Sequence, residues 1–196
     1  MNKAQSTRHM ILSKAFELIY TRGYQATSVD DIISTTQVTK GAFYYHFSTK
    51  DEMGIAIINE ILQPALSGGF ADPLHKGKDP VEAIYTLIEN LLLKDPFMTA
   101  EFGCPVSNLT QEMASRNVKF KEALEDLTHQ WTEVMIATIE SGKRAGYVRK
   151  DVNAKQVTLM ILSGYWGIRN LGRLEKNRAV YLPYLKELKN YLQSIR

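Results

Sequence analysis

Apolar residues return at intervals of three and four along almost the whole chain of 196 residues, and no stretch alternates polar with apolar long enough to make a strand. That periodicity restricts the chain to an all-α fold of about nine helices. Leu12, Ala15, Phe16 and Ile19 follow the i, i+3, i+4, i+7 pattern, and Gly23 is placed to stop that helix. Ser28 with Asp31 forms a capping box ahead of Val29, Ile32 and Ile33. A second box, Thr49 with Glu52, opens a helix carrying Met53, Ile57, Ile58, Ile61 and Leu62, which Pro64 should bend or end. SGGFADPLHKGKDP (67–80) is the clearest loop and marks a boundary. Asp79-Pro80 then caps a helix with Val81, Ile84, Ile88 and Leu91 on one stripe. A long helix near 117–142 presents Phe120, Leu124, Leu127, Trp131 and Val134, and GKRAG closes it. Helices at about 153–172 and 177–195 finish the chain, the last with Tyr181, Leu185, Leu188, Leu192 and Ile195 at 4-3-4-3 spacing.

Composition removes several classes of function. Hydrophobic residues make up 44% and charged residues 23%, which excludes disorder as the main state. No apolar run reaches the ~20 residues of a membrane span. The first residues are too polar for a signal peptide, and a single cysteine excludes a disulfide framework, so the expected compartment is cytoplasmic. The four histidines (His9, His46, His75, His129) have no metal-ligand spacing, and no GxGxxG, P-loop or GxSxG occurs, so neither cofactor nor catalytic site is expected. The net charge of +3 lies entirely in residues 1–50, where Lys3, Arg8, Lys14, Arg22, Lys40 and Lys50 face only Glu17, Asp30 and Asp31. A basic segment on a neutral body suggests an anionic partner, with nucleic acid first among them.

Residues 28–52, SVDDIISTTQVTKGAFYYHFSTKDE, carry the most information. They read as a short helix (about 28–35), a tight connection through Thr36 and Gln37, and a second short helix (about 39–46). Val29, Ile32, Ile33, Val38, Ala42, Phe43 and Phe47 point inward and lock the two at an angle. This is the pattern of a helix-turn-helix, whose second helix enters the major groove. Its outward residues are Thr39, Lys40, Tyr44, Tyr45 and His46, donors and a cation suited to phosphates and base edges. Gly41 lets the backbone approach a partner closely. Of Tyr44 and Tyr45, one is expected to be partly core.

The stretch from Ala15 to Met53 resembles the TetR family of transcriptional regulators. Arg22-Gly23-Tyr24, Thr27-Ser28-Val29, Val38-Thr39-Lys40-Gly41, the aromatic run Phe43 to Phe47, and Lys50-Asp51-Glu52 carry the match, and Gln37 stands where the family usually has glycine. GKRAGYVRKDVNAKQVTLMILSGYWG (142–167) is more loosely similar to the approach to the family's dimerisation helices. The resemblance implies a DNA-binding domain over residues 1–50 and an effector-binding and dimerisation domain over 51–196. It implies a homodimeric repressor that binds a double-stranded operator and leaves it when a small molecule occupies the C-terminal domain. By position, Thr27 and Ser28 face phosphate and Lys50 meets the DNA backbone.

Phe97, Phe102, Trp131, Tyr165 and Trp166 are candidates for an effector pocket, although aromatic residues at helical spacing serve equally as plain core. Cys104 stands beside the start of a helix opened by Pro105, where a thiol becomes more acidic. A buried packing role competes with that of an electrophile or oxidant sensor, and a thiol-based sensor or small-molecule binding module acting through Cys104 is the alternative function. Ser163, Gly164 and Gly167 should permit close helix approach in a two-fold four-helix interface, with Leu185, Leu188 and Leu192 supplying apolar area. Phe97 to Met113, broken by Gly103-Cys104-Pro105, is the segment best placed to carry a signal.

Overall fold

Helix boundaries fall where caps and glycines mark them. The computed structural model describes residues 3–71, 74 and 79–196, and among these it has nine helices and no strand. Helix α1 (Lys3–Arg22) stops at Gly23, whose φ of 97° lies in the left-handed region that glycine adopts without strain. Helices α2 (Val29–Ser34) and α3 (Lys40–His46) follow, each opened by a hydroxyl cap: Ser28 Oγ accepts from Asp31 N, and Thr39 Oγ1 from Ala42 N. Thr49 caps α4 (Lys50–Ile57) in the same way, but the Glu52 carboxylate takes its bond from Ser48 N at 2.8 Å, one residue ahead of the cap.

Two expectations for the next segment need correction. Of the bend or end expected at Pro64, the end does not occur. A π turn (Ile58–Leu62) stands just ahead of it and shifts the bonding to i−5, with Gln63 N donating to the Ile58 carbonyl. The chain then passes the proline, which has no N–H to donate, in a further helical turn (Gln63–Leu66). Residues 67–71 of the expected loop form a second π turn (Ser67–Ala71), and 72, 73 and 75–78, with His75, lie outside the described residues.

Asp79 Oδ1 caps α5 (Pro80–Glu89), which runs into a π turn (Asn90–Lys94). Then come α6 (Pro105–Met113), α7 (Val118–Ala145), α8 (Ala154–Glu175) capped by Asn153, and a 3₁₀ turn (Arg178–Val180) leading into α9 (Tyr181–Ser194).

The chain divides into two packed units, residues 1–65 with 105–127 and residues 66–104 with 128–196. This partition by packing differs from the division at residue 50 that the motifs suggest by role. In the first unit α1 packs on α2 and α4, and α2 on α3, around Leu12, Ala15, Ile32, Phe43, Phe47 and Met53. In the second, α9 packs on α5 and α8. That packing corrects the expected interface: Leu185, Leu188 and Leu192 are 3%, 6% and 1% exposed, so this stripe is spent within the chain. Gly164 is likewise used internally, since a Cβ there would stand 2.9 Å from the Tyr184 hydroxyl. Ser163 and Gly167 remain exposed, and with them Met160, Leu171, Leu174 and Leu182.

Candidate functional site

The two short helices of the first unit are fixed from beneath. Ile32, Val38, Phe43 and Phe47 are buried, while Val29, Ile33 and Ala42 are partly covered. Phe43 and Phe47 lie 5.8 Å apart between ring centres. The Arg8 guanidinium sits 4.3 Å over the Phe47 ring and donates to the His46 carbonyl at 3.0 Å, so α1 clamps the end of α3. What this leaves outside is one continuous face: Thr39, Lys40, Gly41, Tyr44 and Tyr45 are all exposed, with His46 at its edge. Tyr44 and Tyr45 are 46% and 80% exposed, so the two point outward unequally and Tyr44 is the more covered. The Tyr44 ring gets its lateral support from Phe43, 5.3 Å away edge to face. No heavy atom beyond its chain neighbours and its own helix backbone lies within 4 Å of a Cβ built on Gly41, so nothing blocks a partner there.

The charges on this face are already engaged. Lys40 Nζ pairs with Asp30 Oδ1 at 2.9 Å, bridging α2 and α3, and that bond raises the Lys40 ammonium above its ordinary value. Lys50 Nζ donates to the Tyr24 carbonyl at 2.6 Å and lies 4.2 Å over the same ring. Burial lowers its ammonium, opposed by the charges of Asp51, Glu112 and Asp31. An ammonium has three donors, so neither lysine is exhausted by these contacts.

Ser28 and Thr27 separate in role. Ser28 is exposed, and its backbone N–H donates to Asp31 Oδ2 at 2.8 Å in return for the cap. Thr27 is 0% exposed, and its hydroxyl donates to the Gly23 carbonyl at 2.8 Å. A side chain so enclosed braces the connection between α1 and α2 and offers nothing to a phosphate, which corrects its expected role. Hydrogen bonds from Ser28 hold the Asp31 carboxyl below its ordinary value, so the box contributes stability above the unfolded carboxylate range and loses it as pH falls through the lowered one. Ser28→Ala should lower the melting temperature by a few degrees at neutral pH. The gap to the unsubstituted protein should narrow as pH falls through the lowered Asp31 range, leaving the share of the hydroxyl cap, which does not titrate. Melting curves across pH test this, and a gap that does not change with pH contradicts it.

The first unit also contains a polar cluster for which the sequence offers no motif. The Glu112 carboxylate on α6 accepts from Tyr24 N at 2.8 Å and Gln25 N at 2.6 Å. The Tyr24 hydroxyl donates to Asp51 Oδ1 at 2.5 Å, and Asn117 Nδ2 donates to Asp51 Oδ2 at 2.8 Å. Burial first, then the Asp51 bond, pushes the Tyr24 phenol far above its ordinary value. Helix α6 is thereby bonded to the residues that lead into α2.

In the second unit the expected aromatic residues only partly converge. Trp131 touches Tyr165 edge to face at 5.8 Å, and its other neighbour is Phe70 at 4.4 Å, which the sequence did not single out. Trp166 and Phe102 are half-buried and Phe97 is exposed. Cys104 is 2% exposed, in keeping with a packing residue. Arg169, absent from the expected site, is fully buried on α8; its only trace in the sequence is an arginine four residues after Tyr165 on the buried face. Among the described residues no helix is long and apolar enough to cross a membrane.

Comparison with known proteins agrees with this geometry. Residues 11–57 match the family of bacterial regulatory proteins described as the tetR family. Residues 80–185 match the tetracyclin repressor-like C-terminal domain. The chain is 32% identical over 126 residues to an uncharacterized HTH-type transcriptional regulator in the lacX 3′ region of Lactococcus lactis subsp. lactis; the match covers 63% of each chain, a little under two thirds. It is 23% identical over 178 residues to the HTH-type transcriptional repressor DhaR of Mycobacterium sp. (strain GP1), covering 87% of this chain and 84% of that one. A TetR-family regulator from Cytophaga hutchinsonii, 20% identical, has the same fold at a TM-score of 0.89 over 100% of this chain and 98% of that one. With a helix-turn-helix face in the first unit and family matches over both parts of its length, the chain belongs to the TetR family of DNA-binding transcriptional regulators.

Proposed function

We propose that the protein is a repressor that binds a palindromic operator as a two-fold homodimer and releases it when a small molecule occupies the part of the chain beyond residue 50. The observation that carries this reading is the single exposed face of α3, with Thr39, Lys40, Gly41, Tyr44, Tyr45 and His46 together on it. In a major groove the lysine and the phenols reach phosphates and base edges, while Ser28 and Lys50 flank them at the ends of α2 and α4. Residues 1–50 then serve DNA and 51–196 serve effector and dimer. The exposed stripe of α8 replaces Leu185, Leu188 and Leu192 as the dimer surface, with Ser163 and Gly167 kept from the original set. The buried thiol favours Cys104 as a wall of the effector core.

Lys40 provides the test, because its partner Asp30 competes with phosphate for the same ammonium. Lys40→Gln should flatten the slope of log affinity against log salt by about one unit on a fragment of the promoter beside the protein's own gene. Asp30→Asn should act in the opposite sense and strengthen binding a few-fold, since it removes both the competitor and a negative charge facing the DNA. Gel shifts at several salt concentrations measure both. A slope unchanged by Lys40→Gln, in a variant that melts normally, removes α3 from the interface.

A further inference from the structure

The buried face of α8 carries Thr158, Ile161, Tyr165, Arg169 and Gly172. Four of these suit a helical core, but Arg169 places a full positive charge at 0% exposure. Its Nη1 donates to the Met98 carbonyl at 3.1 Å and its Nη2 to the Gly103 carbonyl, while Nε has no acceptor. No carboxylate among the described residues pairs with it; its partners are carbonyl dipoles and the ring of Tyr181, 5.9 Å away. A buried cation ordinarily has an anion beside it, because carbonyls alone do not replace the hydration it has lost.

Two buried groups of this unit, on Trp131 and Arg169, lack an acceptor and can only donate. Trp131 Nε1 is buried without an acceptor, and indole N–H can only donate. Arg169 Nε–H is also donor-only and buried without an acceptor. The Trp131 ring, between Phe70 and Tyr165, provides an apolar wall. Wall and cation meet at Met98: the Tyr165 hydroxyl approaches its sulfur at 3.9 Å, and Arg169 holds its carbonyl. Donors and a positive charge beside aromatic rings call for a ligand with acceptor oxygens, a negative charge and a flat apolar body.

We propose that this unit binds a small organic carboxylate, its carboxylate on the Arg169 fork and its body along Trp131 and Tyr165. The inference rests on the reading of residues 51–196 as the effector-binding part and names the chemical class of that effector. A guanidinium meets a carboxylate through two parallel N–H donors. A carboxylate bound to the free Nε–H and to Nη2 competes with the Gly103 carbonyl for Nη2, while the Met98 carbonyl keeps Arg169 Nη1 and Arg178 Nη2, the latter at 3.4 Å. Gly103 belongs to the segment that runs through Cys104 directly into Pro105, the first residue of α6, so occupancy loosens the residues leading into that helix. Arg178 still anchors the start of the segment through the Leu93 and Asp95 carbonyls.

The test uses the full-length protein and two matched pairs, benzoate with benzamide and cinnamate with cinnamamide, followed by titration calorimetry and by operator release. At least one acid should bind on the order of 10- to 100-fold more tightly than its amide, the range of a charge-assisted hydrogen bond. Arg169→Met should abolish that preference. Arg169→Lys, which keeps the charge but loses the fork, should weaken the acid and retain the preference, and it stands in where the methionine variant does not fold. Failure of both acids to bind overturns the proposal. Amides that bind as tightly as acids overturn the anionic class and leave a pocket in this unit standing. Acids that bind Arg169→Met and Trp131→Ala as they bind the unsubstituted protein sit elsewhere, which overturns the pocket reading as well.

Discussion

Leu171→Glu should convert the protein to a monomer and lower its operator affinity by more than about 100-fold, because a dimer engages its second half-site at high effective concentration and a monomer cannot. The substitution falls on a stripe of α8 formed by Met160, Gly167, Leu171 and Leu174, exposed and directed away from the buried face of Ile161, Tyr165, Ile168 and Arg169. Leu171 is 52% and Leu174 80% exposed, a large apolar surface for a lone helix to leave in water. A groove between α8 and α9, lined by Met160, Tyr184, Leu188 and Tyr191 among others, adjoins the stripe. In the proposed dimer, a two-fold axis through Gly167 would bring α8 against its own copy with no side chain to hold the backbones apart. A glutamate at 171 then faces its symmetry mate in an apolar seam, where two unpaired carboxylates cost several kcal/mol. Sedimentation at micromolar concentration reads the result directly. A well-folded Leu171→Glu dimer with unchanged operator affinity moves the interface off this stripe. Leu188→Glu is the contrasting variant: its side chain packs within the chain, so it should lower the melting temperature and cause aggregation before it yields a folded monomer.

The contrast between these two leucines marks the limit of what periodicity reveals. A 4-3-4-3 stripe establishes that a helix has an apolar face, and Leu185, Leu188 and Leu192 do form one. It does not say whether the face meets its own chain or a copy of it, since both partners demand the same residues at the same spacing. Helix ends were far more legible. Ser28, Thr49 and Asp79 all cap as their residue types suggest, because an N-cap is decided by a bond to an amide two or three residues away. The π turns were illegible for the opposite reason: a shift from i−4 to i−5 bonding leaves the side-chain pattern almost untouched. On α3 the outward residues read correctly from their polarity, whereas Thr27 misled, since a threonine looks the same in a chain whether its hydroxyl faces solvent or a carbonyl four residues back. Arg169 is not legible as a core residue, because arginine is so rarely fully buried that its residue type places it outside.

Gly54→Ala should have the largest effect on stability of any single-methyl change in the first unit. A Cβ at this position would stand 2.4 Å from Phe120 Cζ and 2.7 Å from Tyr24 Cε2, and those two rings already meet edge to face at 4.9 Å. Neither ring can retreat easily. Phe120 is 0% exposed, and Tyr24 is tied at three points: its hydroxyl to Asp51, its N–H to Glu112 and its carbonyl to Lys50. The added methyl forces ring or backbone to move, at a cost of about 2–3 kcal/mol for overpacking and a loss of roughly 5–10 °C in melting temperature. Displacement of Tyr24 also drags the residues between α1 and α2 and the Lys50 ammonium at the edge of the proposed DNA face, so operator affinity should fall along with stability. Phe120→Leu, which clears space opposite the methyl, separates steric from other causes. In the double variant the loss should be smaller than the sum of the two single losses by about 1 kcal/mol or more, the coupling expected of residues in direct contact. Additive losses would mean that Gly54 is required for something other than the room it leaves for these rings.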